Sequence, residues 1–112
     1  MTRQAIHPDM TEVTLPRVLS ALGDPVRLQV VRVLSDGAEH LRADFPRAVA
    51  DSTLSHHMKT LREAGVIFSR PEGTRCYVSL RSELDDRFPG LLRAVLDADA
   101  NSAEAGSASA FC

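Results

Sequence analysis

Residues 51–65, DSTLSHHMKTLREAG, constrain this chain more than any other stretch. Leu54, Met58 and Leu61 recur at i, i+4 and i+7, the spacing that stacks three apolar side chains on one face of an α-helix. Asp51 or Ser52 offers a capping oxygen at its start, and Gly65 is the residue type that most often closes a helix. At about 100° per residue, Ser52, His56, Lys59 and Thr60 fall opposite the seam. One face therefore belongs to a core, and the other is short, polar and basic.

Residues 66–70 and 76–80 are β-prone runs joined by PEGTR at 71–75, a pattern that predicts a β-hairpin. Upstream, Val13, Leu15, Val18, Leu19 and Leu22 keep helical spacing until Gly23. Asp24-Pro25 then starts a second helix, because Asp caps and Pro at the first helical position loses only an N–H that has no partner. Val26, Val30, Val33 and Leu34 form its stripe, and Asp36-Gly37 ends it. Residues 39–45 predict a short third helix, with Leu41 and Phe45 on one face and Pro46 stopping it. After the hairpin, Leu84, Phe88, Leu91, Leu92, Val95 and Leu96 predict a terminal helical stretch broken or restarted at Pro89-Gly90.

The expected organisation is a flexible N-terminal arm over 1–12, one domain over 13–99 and a disordered Ala/Ser/Gly tail over 100–112. In a chain of 112 residues that is 44% apolar and 4% aromatic, the core must be aliphatic, which suits helices. The fold expected is mainly α with a small β element (α+β): a winged helix-turn-helix of about five helices with one β-hairpin wing. Two distant cysteines, Cys76 and Cys112, exclude a disulfide framework and a four-thiolate zinc site. No apolar run approaches the roughly 18 residues of a membrane span, so a cytoplasmic protein without membrane partners is expected.

A net charge of −2 argues against a nucleic-acid partner, yet its distribution argues for one. Residues 53–81 set five cations against two carboxylates, whereas 82–112 set two cations against six carboxylates. A helix fits the major groove, where base edges expose a distinct donor and acceptor pattern. Ser52, Thr53, Ser55 and His56 are the candidates for base and phosphate contact, with Lys59 and Thr60 a turn further on. Arg70 and Arg75 on the hairpin would reach backbone or minor groove. A basic helix face is more often simply solvated; the capped helix, the short helix before it and the hairpin after it together favour double-stranded DNA.

The strings Ala21-Leu22-Gly23-Asp24-Pro25-Val26-Arg27-Leu28, Ser55-His56-His57-Met58-Lys59, Leu61-Arg62-Glu63-Ala64-Gly65 and Arg70-Pro71-Glu72-Gly73-Thr74-Arg75 resemble the ArsR/SmtB family of prokaryotic regulators over about residues 15–97. The resemblance implies a transcriptional regulator acting as a homodimer, with Leu15, Val18, Leu19, Leu91, Leu92, Val95 and Leu96 at the interface. These side chains could equally fill the protomer core. A twofold dimer favours an inverted-repeat operator.

Many relatives in that family carry a Cys-x-Cys sensor in the helix before the turn; here Leu41 and Ala43 stand there, so the arsenite-type thiolate site is absent. Other relatives bind zinc, nickel or cobalt through Asp and His on the terminal helix. Asp97 and Asp99 match half of that pattern, and His7, Asp9 and Glu12 could complete it from a partner protomer; solvated carboxylates and a loose arm are the plainer reading. The input is left open between a divalent metal such as nickel or zinc, a partner sensor protein and an organic ligand. His40 is expected to cap or pack, His57 to be partly buried and hydrogen-bonded, Cys76 to be a buried strand residue, and Cys112 an exposed thiol. No enzyme is expected, because Cys76 would have to meet His56 or His57 in a closed pocket. The alternative function is a winged-helix protein-interaction module without DNA binding.

Overall fold

The computed structural model describes residues 6–105. Helices α1 (Leu15–Leu22), α2 (Pro25–Leu34) and α3 (Asp51–Glu63) are followed by strands β1 (Ile67–Glu72) and β2 (Arg75–Leu80), then by α4 (Glu83–Arg87) and α5 (Leu91–Ala105). Single 3-10 turns lie at Met10–Glu12 and Arg42–Asp44. The described residues thus form five α-helices and one antiparallel hairpin, the winged architecture expected.

Asp24 starts α2 as its chemistry dictates: its Oδ1 accepts the Val26 and Arg27 N–H groups at 2.8 and 3.1 Å, and Pro25 follows at the first helical position. Partial burial pulls the Asp24 pKa up, but those two N–H groups overcome it and leave the carboxyl below its ordinary value. Val18, Val30, Val31, Leu34, Leu61, Val66, Ile67 and Leu84 are fully buried, so the core is aliphatic. Each such side chain contributes about 1.5–3 kcal/mol of burial free energy. On α3, Leu54 and Leu61 are buried and Met58 packs against the same core, as the seam requires. Arg32 of α2 donates to Leu96 O and to Asp99, which ties α5 to the core, while Arg87 Nε donates to Val13 O and ties down α4.

Several local expectations need correction. Residues 39–45 do not form a helix: the His40 N–H and C=O both pair with Val78 of β2, at 2.8 and 2.9 Å, so they cannot join an i to i−4 ladder. The hairpin turn is only Gly73-Thr74, and Pro71 and Glu72 belong to β1, opposite Cys76 and Arg75. A two-stranded sheet leaves an outer edge where the missing Pro N–H is harmless. Cys76 is exposed rather than buried, because it sits next to the turn, beyond the core. His7 and Pro8 lie against the wing, the turn at Met10–Glu12 packs against α4, and α5 continues through Ala105. The remaining arm residues 1–5, and 106–112 with Cys112, lie outside the described residues.

Helix α3 ends at a Schellman turn: Val66 N–H donates to Leu61 O and Gly65 N–H to Arg62 O, both at 3.0 Å. Gly65 takes φ +88°, and a Cβ there would lie 2.4 Å from Val13 Cγ2. Gly65→Ala should therefore combine left-handed strain with a clash and destabilise the protein by about 2 kcal/mol or more. Thermal unfolding checks this; a melting temperature equal to that of the native chain would show that Val13 yields freely.

Candidate nucleic-acid interface

Helix α3 begins with Ala50 as its N-cap, so the side-chain cap expected from Asp51 or Ser52 is not made. Asp51 stands in the first turn, where a carboxylate complements the helix dipole. Its partner is Arg42, whose Nε donates to Asp51 Oδ1 at 2.7 Å. The same guanidinium donates to Val49 O at 2.7 Å and to Phe45 O and Pro46 O. Arg42 thereby gathers the irregular 45–51 segment and fixes the position of the α3 N-terminus. Sequence reasoning did not single it out; its only signal was a lone Arg between Leu41 and Ala43.

From that start, Ser52, Thr53, Ser55, His56 and Lys59 are exposed on the outer side of α3. Thr60 is partly buried and its hydroxyl donates to His56 O, so it serves the helix itself. His57, on the flank, is only 12% exposed, and its Nδ1 lies 3.0 Å from Arg27 Nη1. A guanidinium can only donate, so Nδ1 accepts and the ring carries its proton on Nε2. Arg27 also donates to Ala21 O, which links α1, α2 and α3 through one side chain.

The two wing arginines have different fates. Arg70 donates to both oxygens of Glu39 at 2.8 and 3.0 Å, donates to Glu72, and lies 4.5 Å over the Tyr77 ring. It is engaged at the surface with two carboxylates, and the hydrogen bond from Arg70 lowers the Glu39 pKa. Arg75 is exposed beside the turn. The wing is braced from below by residues 7–8: Ser69 N–H donates to His7 Nε2 at 2.9 Å, His7 stacks on Phe68, and Arg81 donates to Pro8 O.

His40 clamps the other side of the wing. While its backbone pairs with Val78, its Nε2 and Nδ1 lie 2.9 and 3.0 Å from Asp36 and Asp44. Asp36 chiefly, with Asp44 behind it, raises the His40 pKa against the opposing effect of burial. The Asp36 pKa is lowered mainly by His40, and that of Asp44 mainly by the Leu41 N–H.

The metal candidates are not brought together within one protomer. His7 is on the wing, Asp9 caps a 3-10 turn through Thr11, Asp99 pairs with Arg32, and Asp97 is exposed on α5. Among the described residues, no three His, Cys, Asp or Glu side chains could share a metal ion. The interface candidates divide: Val18 and Leu96 are core, Leu91, Leu92 and Val95 are partly buried, and Leu15 and Leu19 are 40% and 46% exposed. No helix among the described residues is long and apolar enough to cross a membrane.

Comparison with known proteins agrees with this geometry. A helix-turn-helix domain family matches residues 22–69. YceK of Bacillus subtilis, an uncharacterised HTH-type transcriptional regulator, is 34% identical over 80 residues, covering 68% of this chain and 80% of its own. The arsenical resistance operon repressor of Staphylococcus xylosus is 32% identical over 84 residues, covering 69% of this chain and 75% of its own. The solution structure of a homodimeric winged helix-turn-helix DNA-binding domain, Mb0332 of Mycobacterium bovis, described as a possible ArsR-family regulator, superposes with a TM-score of 0.59 at 24% identity and 87% coverage of both chains.

The His40 clamp makes stability depend on pH with a definite sign. Its raised folded pKa means that its contribution is complete below about pH 6.5, the unfolded value, and is lost as pH rises through the folded value. The lowered pKa values of Asp36 and Asp44 add stability above about pH 4 that is lost on acidification. Urea midpoints should accordingly fall from pH 6 towards pH 8, and His40→Asn should flatten that decline; an equal decline in both proteins would contradict the assignment.

Proposed function

The chain belongs to the ArsR family of helix-turn-helix transcriptional regulators, and on that premise we propose that it binds double-stranded DNA sequence-specifically, as a homodimer, at an inverted-repeat operator. The observation that carries this reading is the exposed row Ser52, Thr53, Ser55, His56 and Lys59 on a helix anchored at its start by Arg42. The short hydroxyls and His56, near the N-terminal end, meet base edges and phosphates; Lys59 meets a phosphate. On the wing Arg75 takes the DNA backbone contact, whereas Arg70 holds the wing to residue 39. The protein acts in the cytoplasm, where its operator is.

The homodimer is supported by Leu15 and Leu19, an i, i+4 pair left exposed on α1 beside its buried residues Val18, Ala21 and Leu22, and by the homodimeric state of the Mycobacterium bovis domain. Leu91, Leu92 and Val95 of α5 supply further apolar surface. As to input, relatives are named for arsenic resistance, but the cysteines of this chain are Cys76 and Cys112 alone. His7, Asp9 and Asp99 each already hold a protein partner, which favours a sensor protein or an organic ligand over nickel or zinc.

Two measurements test this reading. In anisotropy titrations on the upstream promoter, Lys59→Ala and Arg75→Ala should each weaken binding and reduce the magnitude of the log-affinity versus log-salt slope by about 0.9, one phosphate contact apiece. Binding indifferent to salt and to both changes would leave only the protein-interaction module. In sedimentation equilibrium the double variant Leu15→Glu with Leu19→Glu should be monomeric while the native chain is dimeric; a variant that stays dimeric would move the interface elsewhere.

A further inference from the structure

A groove of about 480 Å³ runs between α3 and the wing. Leu54, Met58 and Arg62 line it from the helix, and Pro71, Cys76 and Val78 from the hairpin. Its volume falls within the roughly 300–1,000 Å³ of small-molecule sites, and most of its surface is apolar, with Arg42, Asp51, Ser55, Arg62 and Ser69 as its polar lining. One of those groups lacks a partner: Arg62 Nε is buried and has no hydrogen bond among the described residues. A guanidinium N–H can only donate, and buried donors are nearly always satisfied. Arg42, the other cation on the groove, already donates to Asp51 and to the carbonyls of Phe45, Pro46 and Val49.

We propose that this groove binds a small organic anion, with its carboxylate accepting from Arg62 and its hydrocarbon body lying against Leu54, Met58 and Val78. The chemistry selects this class. A bare inorganic anion would leave the apolar walls wet, and an uncharged hydrocarbon would leave Arg62 without an acceptor. One wall is formed by α3 and the other by the wing, so an occupant touches both elements that carry candidate DNA contacts. Ser55, a candidate DNA contact, also borders the groove. The anion therefore alters DNA affinity, a consequence that rests on the DNA-binding reading, whereas the binding site does not.

The test uses the full chain with octanoate as probe and octanamide as its uncharged counterpart. Calorimetry should show saturable octanoate binding, and ¹H–¹⁵N spectra should shift at Met58, Arg62 and Val78. Octanamide should bind at least about tenfold more weakly, the loss expected for one charge-assisted hydrogen bond. Arg62→Met should lose the same factor, while Arg62→Lys, which keeps the charge, should retain most of the binding. Equal binding of acid and amide, no saturation by about 10 mM, or an Arg62→Met variant that binds octanoate like the native chain would overturn the site. Anisotropy on promoter DNA is read separately: octanoate should change the affinity of the native chain and not that of Arg62→Met. Octanoate that binds without changing DNA affinity overturns the coupling alone, and a chain that binds no DNA overturns the earlier reading while calorimetry still decides the site.

Discussion

The left-handed turn at Gly65 is the constraint on which the rest of the molecule depends. It stops α3 with two backbone bonds and aims the chain directly into β1, so only Ala64, Gly65 and Val66 separate the helix from the wing. Val66 and Ile67, immediately beyond, are fully buried, and Arg81 N–H donates back to Val66 O at the far end of the hairpin. The Val13 side chain occupies the space a Cβ at Gly65 would need, which keys the segment before α1 to the same turn. An exposed helix face and an exposed wing tip are thus parts of one packed body, and two DNA contacts can keep a fixed spacing.

Between α2 and α3 the chain has little regular structure, and polar side chains do there what a helix would do elsewhere. Arg42 collects three carbonyls and Asp51. His40 joins Asp36, Asp44 and the wing backbone. These bonds satisfy groups that a loop would otherwise present to water, and they hold the start of α3 still. Arg27 and His57 perform the equivalent task at the α1–α2 junction. Each clamp is anchored to buried aliphatic packing, so its geometry is supported from below.

Charge on the wing illustrates how position decides function. Arg70 and Arg75 lie on facing strands of one hairpin, yet Glu39, far away in sequence, neutralises the first, while the second projects beside the turn. The same principle separates Arg42 from Arg62 along the groove, where one guanidinium is fully engaged and the other keeps a buried donor without an acceptor. A cation count along the chain treats all four alike.

Patterns with short range were legible in the sequence. Asp24-Pro25, the Leu54-Met58-Leu61 seam, Gly65 and the β-prone runs each encode their structure within a few residues, and so the helices, the hairpin and the polar row on α3 could be read before any coordinates. Residues 39–45 misled, because their helical spacing competes with a backbone bridge to Val78 that no local signal announces. Equally hidden were the engagement of Arg70, the exposure of Cys76, the bracing of residues 7–8 and the groove at Arg62, since each depends on which distant segments meet. Local propensity and periodicity set the elements of this protein; which charges stay free to act was decided only when tertiary packing brought partners together or kept them apart.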